Sequence, residues 1–225
     1  MQTDIIGKLL DAAAAHVPFD GWSEAAFVAS ARDAGVDIAV ARAACPRGAV
    51  DLALAYHAAG DRAMLDRLEA ADLSDMRFRD RIAAAVRWRL EAAEPEMVRR
   101  GMTLFALPQH AADGARALWQ TADHIWCALG DTSDDVNWYT KRATLSGVYG
   151  STVLYWLGDD SPDHAATWEF LDRRIDDVMQ IEKIKAKARD SKLTSALMAG
   201  PMALLRQIRA PRKDNDLPGH WSGKR

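Results

Sequence analysis

Residues 23–44 read SEAAFVASARDAGVDIAVARAA, two short helical stretches either side of a tight turn. Ser23 is placed to cap the first, which runs to about Arg32. Asp33-Ala34-Gly35 makes the turn, and Asp37 caps the second, ending near Ala44. These are the dimensions of a helix-turn-helix. On the N-terminal side Ile5, Ile6, Leu9, Leu10, Ala13 and Val17 recur at helical steps, with Pro18 closing that helix and Gly21 following it. On the C-terminal side Pro46 suits the first position of a further helix, expected to run to Gly60 and restart beyond it. Residues 1–60 are therefore read as a helix-turn-helix-like unit.

Apolar spacing stays helical through the rest of the chain, and no run shows the period-two alternation of a strand, so the fold class is all-α. Helices are expected over 74–94, with Ile82, Val86 and Leu90 inward, and over Met97–Leu107, stopped by Pro108. Others follow over Ala111–Leu129, closed by Gly130, over Val136–Leu157, closed by Gly158, and from Asp163 to about Lys187 behind a Ser161-Pro162 cap. Residues 61–190 form a larger bundle and residues 191–225 a tail. With 225 residues, 49% hydrophobic and 27% charged, there is chain enough for a well-buried core.

The net charge of -3 hides an asymmetry. Residues 183–225 carry eleven cations against three anions, a local +8, and the preceding 182 residues carry -11. Residues 1–60 hold four cations (Lys8, Arg32, Arg42, Arg47) against seven anions, and the second short helix, Ile38–Ala44, has few groups that read bases. DNA affinity comes largely from phosphate neutralisation. The helix-turn-helix outline is accordingly read as a scaffold, with no nucleic-acid partner.

Chemistry-bearing patterns are absent. The six histidines are scattered, with no HExxH and no Glu-x-x-His pair. There is no Walker loop and no GxSxG. Cys45 and Cys127 lie far apart without a metal-ligand pattern. No enzyme activity, metal or cofactor is expected. The N-terminus lacks the features of a signal or transit peptide, and no run reaches about 18 apolar residues, the length of a spanning helix.

Two aromatic features carry more information. Trp88, Trp119, Trp126, Trp156 and Trp168 fall on separate segments of the bundle. They either fill its core or, with Leu104, Leu145, Val148, Tyr149, Thr152, Leu171 and Ile175, line an apolar cavity for a lipid. Trp138 and Tyr139 are adjacent on one helix and point about 100° apart, so both cannot sit centrally on one buried stripe. One account is a cation-π lid with Lys141 or Arg142. The account favoured is a protein-contact patch of Asn137, Trp138, Tyr139, Lys141 and Arg142.

The tail places Leu193, Leu197, Met198, Leu204, Leu205 and Ile208 on an apolar face flanked by Lys192, Arg206 and Arg209. A cationic amphipathic helix of this kind lies in the headgroup region of an anionic membrane, each nearby cation adding about 1 kcal/mol. The alternative is a helix folded back on the acidic body.

At Gly130-Asp131-Thr132-Ser133-Asp134-Asp135-Val136-Asn137-Trp138-Tyr139-Thr140-Lys141-Arg142-Ala143 the chain resembles the Coq-nine family, lipid-binding accessory proteins of ubiquinone biosynthesis. The likeness continues through Leu145–Tyr155, Asp159–Asp163, Thr167-Trp168, Phe170-Leu171 and Arg173–Met179. The resemblance implies a fold like the TetR regulators with a vestigial helix-turn-helix, a lipid held in the bundle, an amphipathic C-terminal helix on the membrane, and a homodimer. It also implies binding of isoprenoid quinone precursors and delivery to the di-iron demethoxyubiquinone hydroxylase, which the Trp-Tyr pair, here Trp138 and Tyr139, would contact. The expected location is peripheral on the inner membrane, at its cytoplasmic face in a bacterium or its matrix face in a mitochondrion. The lack of a presequence suggests a bacterial member or a processed chain. The alternative function is a TetR-like, ligand-responsive transcriptional regulator.

Overall fold

The computed structural model describes residues 2–190 and 209–211. Ten α-helices make up the described chain: α1 (Gln2–Ala13), α2 (Val17–Asp20), α3 (Glu24–Asp33), α4 (Ile38–Ala44), α5 (Ala49–Ala70), α6 (Phe78–Glu91), α7 (Pro95–Phe105), α8 (Ala111–Ala128), α9 (Val136–Trp156) and α10 (Ala165–Asp190). No strand occurs among the described residues. Ser23 and Asp37 cap α3 and α4 through Ala26 N–H and Ala39 N–H, as expected from the helix-turn-helix spacing. Gly35 takes the left-handed turn between them at φ 64°.

Several boundaries differ from the sequence reading, each for a local reason. Pro18 does not close α1. It sits in the first turn of α2, where its missing N–H costs nothing, and Gly21 at φ 67° ends that turn. Pro46 lies in a turn ahead of α5, which starts at Ala49 with Gly48 as its cap. The 162–164 stretch is a 3₁₀ turn with Asp163 and His164 at positive φ, so α10 starts only at Ala165. Its entry is fixed by the Asp159 carboxylate, which accepts from Ser161 N–H, Thr167 N–H and Thr167 Oγ1–H.

Gly60 does not interrupt α5, which passes straight through it. A Cβ at Gly60 would lie 2.4 Å from Nη1 of Arg89, so the glycine gives room to a neighbouring guanidinium and does not break the helix. α5 therefore serves two cores. Ala49, Leu52 and Ala53 on its first half join Leu9, Ala13, Phe27 and Ala41 of α1, α3 and α4, Cys45 just after α4, and Met97 of α7. Met64 and Leu68 on its second half join α6, α8, α9 and α10 through Ile82, Val86, Ile125, Leu145, Trp156 and Leu171.

Trp22 stitches the first core to α7 by donating from Nε1 to Met97 O at 3.1 Å, and Arg100 donates to Pro18 O at 2.8 Å. Between the cores lies a polar layer. Asp61 of α5, Arg89 of α6 and Thr121 of α8 are each at most 3% exposed, and the Asp61 carboxylate accepts from Arg89 Nε at 2.6 Å and Thr121 Oγ1 at 2.9 Å. Gly60→Ala is expected to lower stability by about 1–3 kcal/mol, the usual effect of overpacking. The denaturant midpoint should fall with the slope unchanged; a midpoint equal to wild type would show that Arg89 moves aside freely.

Candidate functional site

A cavity of about 440 Å³ lies against this polar layer. Its walls come from α5, α6, α7, α8 and α9, with Trp22 from the loop before α3, and it lies within the range of about 300–1,000 Å³ usual for small-molecule sites. Met97, Val98, Met102, Phe105, Leu118 and Val153 make most of the lining apolar, and Leu154, 61% exposed, stands at its edge. Gly114 lets α8 pack tightly on α7, since a Cβ there would meet Phe105 Cβ at 2.7 Å. Tyr56 and Met97 also border a second cavity of about 780 Å³ between α1 and α5.

The polar groups facing the first cavity are Tyr56, His57, Arg89 and Tyr149. With Nε2 protonated, His57 donates to Thr121 Oγ1 at 2.8 Å, and Thr121 passes the chain on to Asp61. Arg89 also donates from Nη2 to His57 O at 3.0 Å. Burial, with the Arg89 charge beside it, pushes the His57 imidazole down to about 4, so it is neutral at pH 7. Burial would raise the Asp61 carboxyl, but hydrogen bonds and charge from His124, His57 and Arg89 outweigh it and hold Asp61 below its ordinary value. His124 reaches Asp61 Oδ2 at 3.1 Å from a neighbouring cleft that His57 and Ala117 also border, and this bond raises its own pKa.

Of the residues expected to line a lipid cavity, Tyr149 borders this one. Trp126, Leu145, Val148 and Ile175 border a narrower cleft of about 140 Å³ between α6, α9 and α10. Thr152, Trp156 and Leu171 are buried, while Trp88, Leu104, Trp119 and Trp168 are half-buried outside both. Trp88 lies under the Arg67 guanidinium and Trp168 under that of Arg87. Sequence reasoning missed Asp61, Arg89 and the α7 wall. The available signal was a charged residue set between Trp88 and Leu90, on a helix whose neighbours point inward.

The start of α9 is a second feature. Asn137 and Tyr139 are exposed, and Trp138 is half-buried with its ring 5.8 Å from that of Trp119. Arg142, grouped with them in the sequence reading as an exposed contact residue, is instead 1% exposed. Its guanidinium stacks on Trp138 at 4.1 Å and donates to Asp131 at 3.0 Å, to Trp138 O at 3.1 Å and to Asp123. The cation-π account therefore describes Arg142. Lys141 also turns inward, donating to Asp131 at 2.7 Å. Burial opposes ionisation of Asp131, but Lys141, Ser133 and Arg142 overcome it and hold the carboxyl at about 2.

In the tail, Lys192, Leu193, Leu197, Met198, Leu204, Leu205, Arg206 and Ile208 lie outside the described residues. Arg209 is described and exposed. Its carbonyl accepts from Tyr139 O–H at 3.2 Å, and Ala210 N–H donates to Asp134 O at 2.9 Å. On α4, Arg42 is paired with Glu24 and sits over Phe27, while Ile38 and Val40 are exposed. Among the described residues no helix is long and apolar enough to cross a membrane, and no cluster of three potential metal ligands is found.

The arrangement is that of the TetR fold. A TetR transcriptional regulator from Nitrosomonas europaea ATCC 19718 superposes with a TM-score of 0.64 at 19% identity, over 76% of this chain and 96% of that one. Within that fold the chain belongs to the COQ9 family, whose model matches residues 111–182, spanning α8, α9 and the first part of α10. The mitochondrial ubiquinone biosynthesis protein COQ9 of Drosophila melanogaster is 34% identical over 184 residues, 79% of this chain and 56% of that protein. Its counterparts in Rattus norvegicus and Homo sapiens are 31% and 29% identical over 88% of this chain, and 66% and 65% of theirs. The chain thus spans between about half and two thirds of the length of these relatives.

Two outcomes are expected. Arg142→Leu, which leaves Asp131 buried and short of a partner, should cost about 3–5 kcal/mol in chemical denaturation. Tyr139→Lys should leave the unfolding midpoint near that of wild type. Equal loss from both would mean that the exposed and buried faces of α9 are wrongly assigned. Separately, the depressed His57 pKa means that the unfolded chain binds a proton that the folded one refuses between its ordinary value near 6.5 and about 4. His57 thus favours folding fully above pH 6.5 and progressively less as pH falls through that window. His57→Gln should flatten the decline relative to wild type; an unchanged pH profile would show that folding does not shift the His57 pKa.

Proposed function

We propose that this protein acts in ubiquinone biosynthesis as a non-enzymatic lipid carrier, holding part of an isoprenoid quinone precursor in the cavity between α5, α7, α8 and α9. The observation that carries this reading is the cavity itself, with its largely apolar wall on α7 and α8 and membership of a family whose relatives are named for ubiquinone biosynthesis. Each Å² of apolar ligand surface removed from water contributes about 25 cal/mol. Shielding the head and first isoprene units therefore offsets much of the cost of drawing an insoluble molecule from a bilayer. The remainder of a long tail exceeds about 440 Å³ and stays with the membrane or extends past Tyr56 and Met97 towards the second cavity.

On this reading Asn137 and Tyr139, backed by Trp138, form the surface offered to the di-iron quinone hydroxylase. Lys141 and Arg142 hold that surface rigid from beneath. The cationic residues between Lys192 and Arg209 rest on an anionic membrane surface, at the matrix or cytoplasmic face of the inner membrane, and the protein works as a homodimer. The alternative, a ligand-responsive regulator, is disfavoured by α4, whose one cation is paired with Glu24 and whose exposed residues include Ile38 and Val40.

Mass spectrometry of lipid extracted from the purified protein should find an isoprenoid quinone or its precursor. A Met102→Trp/Leu118→Trp variant, filling the cavity with the fold retained by circular dichroism, should carry at least about tenfold less. Undiminished lipid in that variant would place the ligand elsewhere.

A further inference from the structure

The cavity has an apolar side and a polar end, and the polar end is unusual in its charge and its hydrogen bonding. Arg89 and Tyr149 both line it, and each is 3% exposed. Arg89 spends Nε on Asp61 and Nη2 on His57 O, while its Nη1 has no hydrogen-bond partner among the described residues. The Tyr149 hydroxyl likewise hydrogen-bonds no group among the described residues, although its ring lies 5.9 Å from the Arg89 guanidinium carbon. Neither atom is fully enclosed, and their residues line the same cavity, so an acceptor entering it can meet both.

The charge at this end is already balanced. Asp61 neutralises Arg89 at 2.6 Å. His57 faces the same space with its Nε2 engaged by Thr121, and His124 approaches Asp61 from the solvent-facing cleft beyond. A carboxylate or phosphate entering would therefore be an unmatched charge in a largely apolar site. An uncharged oxygen acceptor, such as a ring carbonyl or methoxyl, can accept from both donors without one.

We infer that the cavity takes its ligand head-inward, with a neutral, oxygen-bearing ring on Arg89 and Tyr149 and an apolar chain leaving past Met102, Phe105 and Leu154. The site thereby discriminates against anionic amphiphiles of the same chain length. This rests on the lipid-carrier reading but goes beyond it by fixing the orientation and the chemistry of the head.

Tyr149→Phe is the informative variant, because it removes only a hydroxyl that holds nothing in the protein. Arg89 is left in place, since its loss would strand Asp61. The full-length protein and the variant would be titrated by tryptophan fluorescence or calorimetry with a decyl-substituted dimethoxybenzoquinone, with decylbenzene and with decanoate. Wild type is expected to bind the quinone at least about tenfold tighter than decanoate, and Tyr149→Phe to weaken the quinone about five- to tenfold while leaving decylbenzene unchanged. Decanoate binding as tightly as the quinone, or a quinone-to-decylbenzene ratio unmoved by Tyr149→Phe, would overturn the head-inward site and leave the carrier reading standing. Failure of all three probes to bind would overturn both.

Discussion

The Asp61–Arg89 ion pair is the constraint around which the fold is arranged. Two charges out of water are tolerable only with close geometry and with their remaining hydrogen-bonding capacity met. Meeting it requires α5, α6 and α8 together: the carboxylate comes from α5, the guanidinium from α6, and the Thr121 hydroxyl and His124 imidazole from α8. The space for Arg89 depends on the missing side chain of Gly60. The pair gives little net stability over apolar residues of the same size. Its effect is spatial, because a polar layer between two apolar cores keeps them from closing on each other, and the cavity lies beside it.

A second charged knot, centred on Asp131, acts on the surface. Asp131 accepts from Lys141, Ser133 and Arg142, and Arg142 in turn supports the Trp138 ring. Trp138 is thus clamped between a guanidinium and Trp119, which leaves Tyr139 and Asn137 as the parts of this helix start that face outward. A rigid aromatic edge loses little side-chain entropy on contact with a partner, so in the proposed hydroxylase contact the buried residues of this motif would matter as much as the exposed ones.

The helix order was legible in the sequence because caps and punctuating glycines are local signals: Ser23 and Asp37 each cap where their spacing placed them. The misread boundaries, at Pro18, Pro46, Gly60 and Pro162, are residues whose local preference admits two outcomes. At Gly60 the outcome was settled by a guanidinium 29 positions further along the chain. The candidate site was less legible for the same reason. Tyr149 stood out as an aromatic on an inward face, but the partners of Asp61 lie 28 and 60 residues away in sequence. The bundle tryptophans drew attention by size, and two of them, Trp88 and Trp168, instead serve as half-buried shelves for Arg67 and Arg87.

α5 has one further consequence. Its 22 residues, roughly 33 Å of continuous helix, supply Leu52 to one core and Met64 to the other, so no flexible linker separates the two halves there. The halves are joined by a shared beam. Fraying it from either end strips residues from both interiors in succession, which makes the helix-turn-helix-like unit and the bundle partners in a single cooperative unfolding event and not independent folding modules.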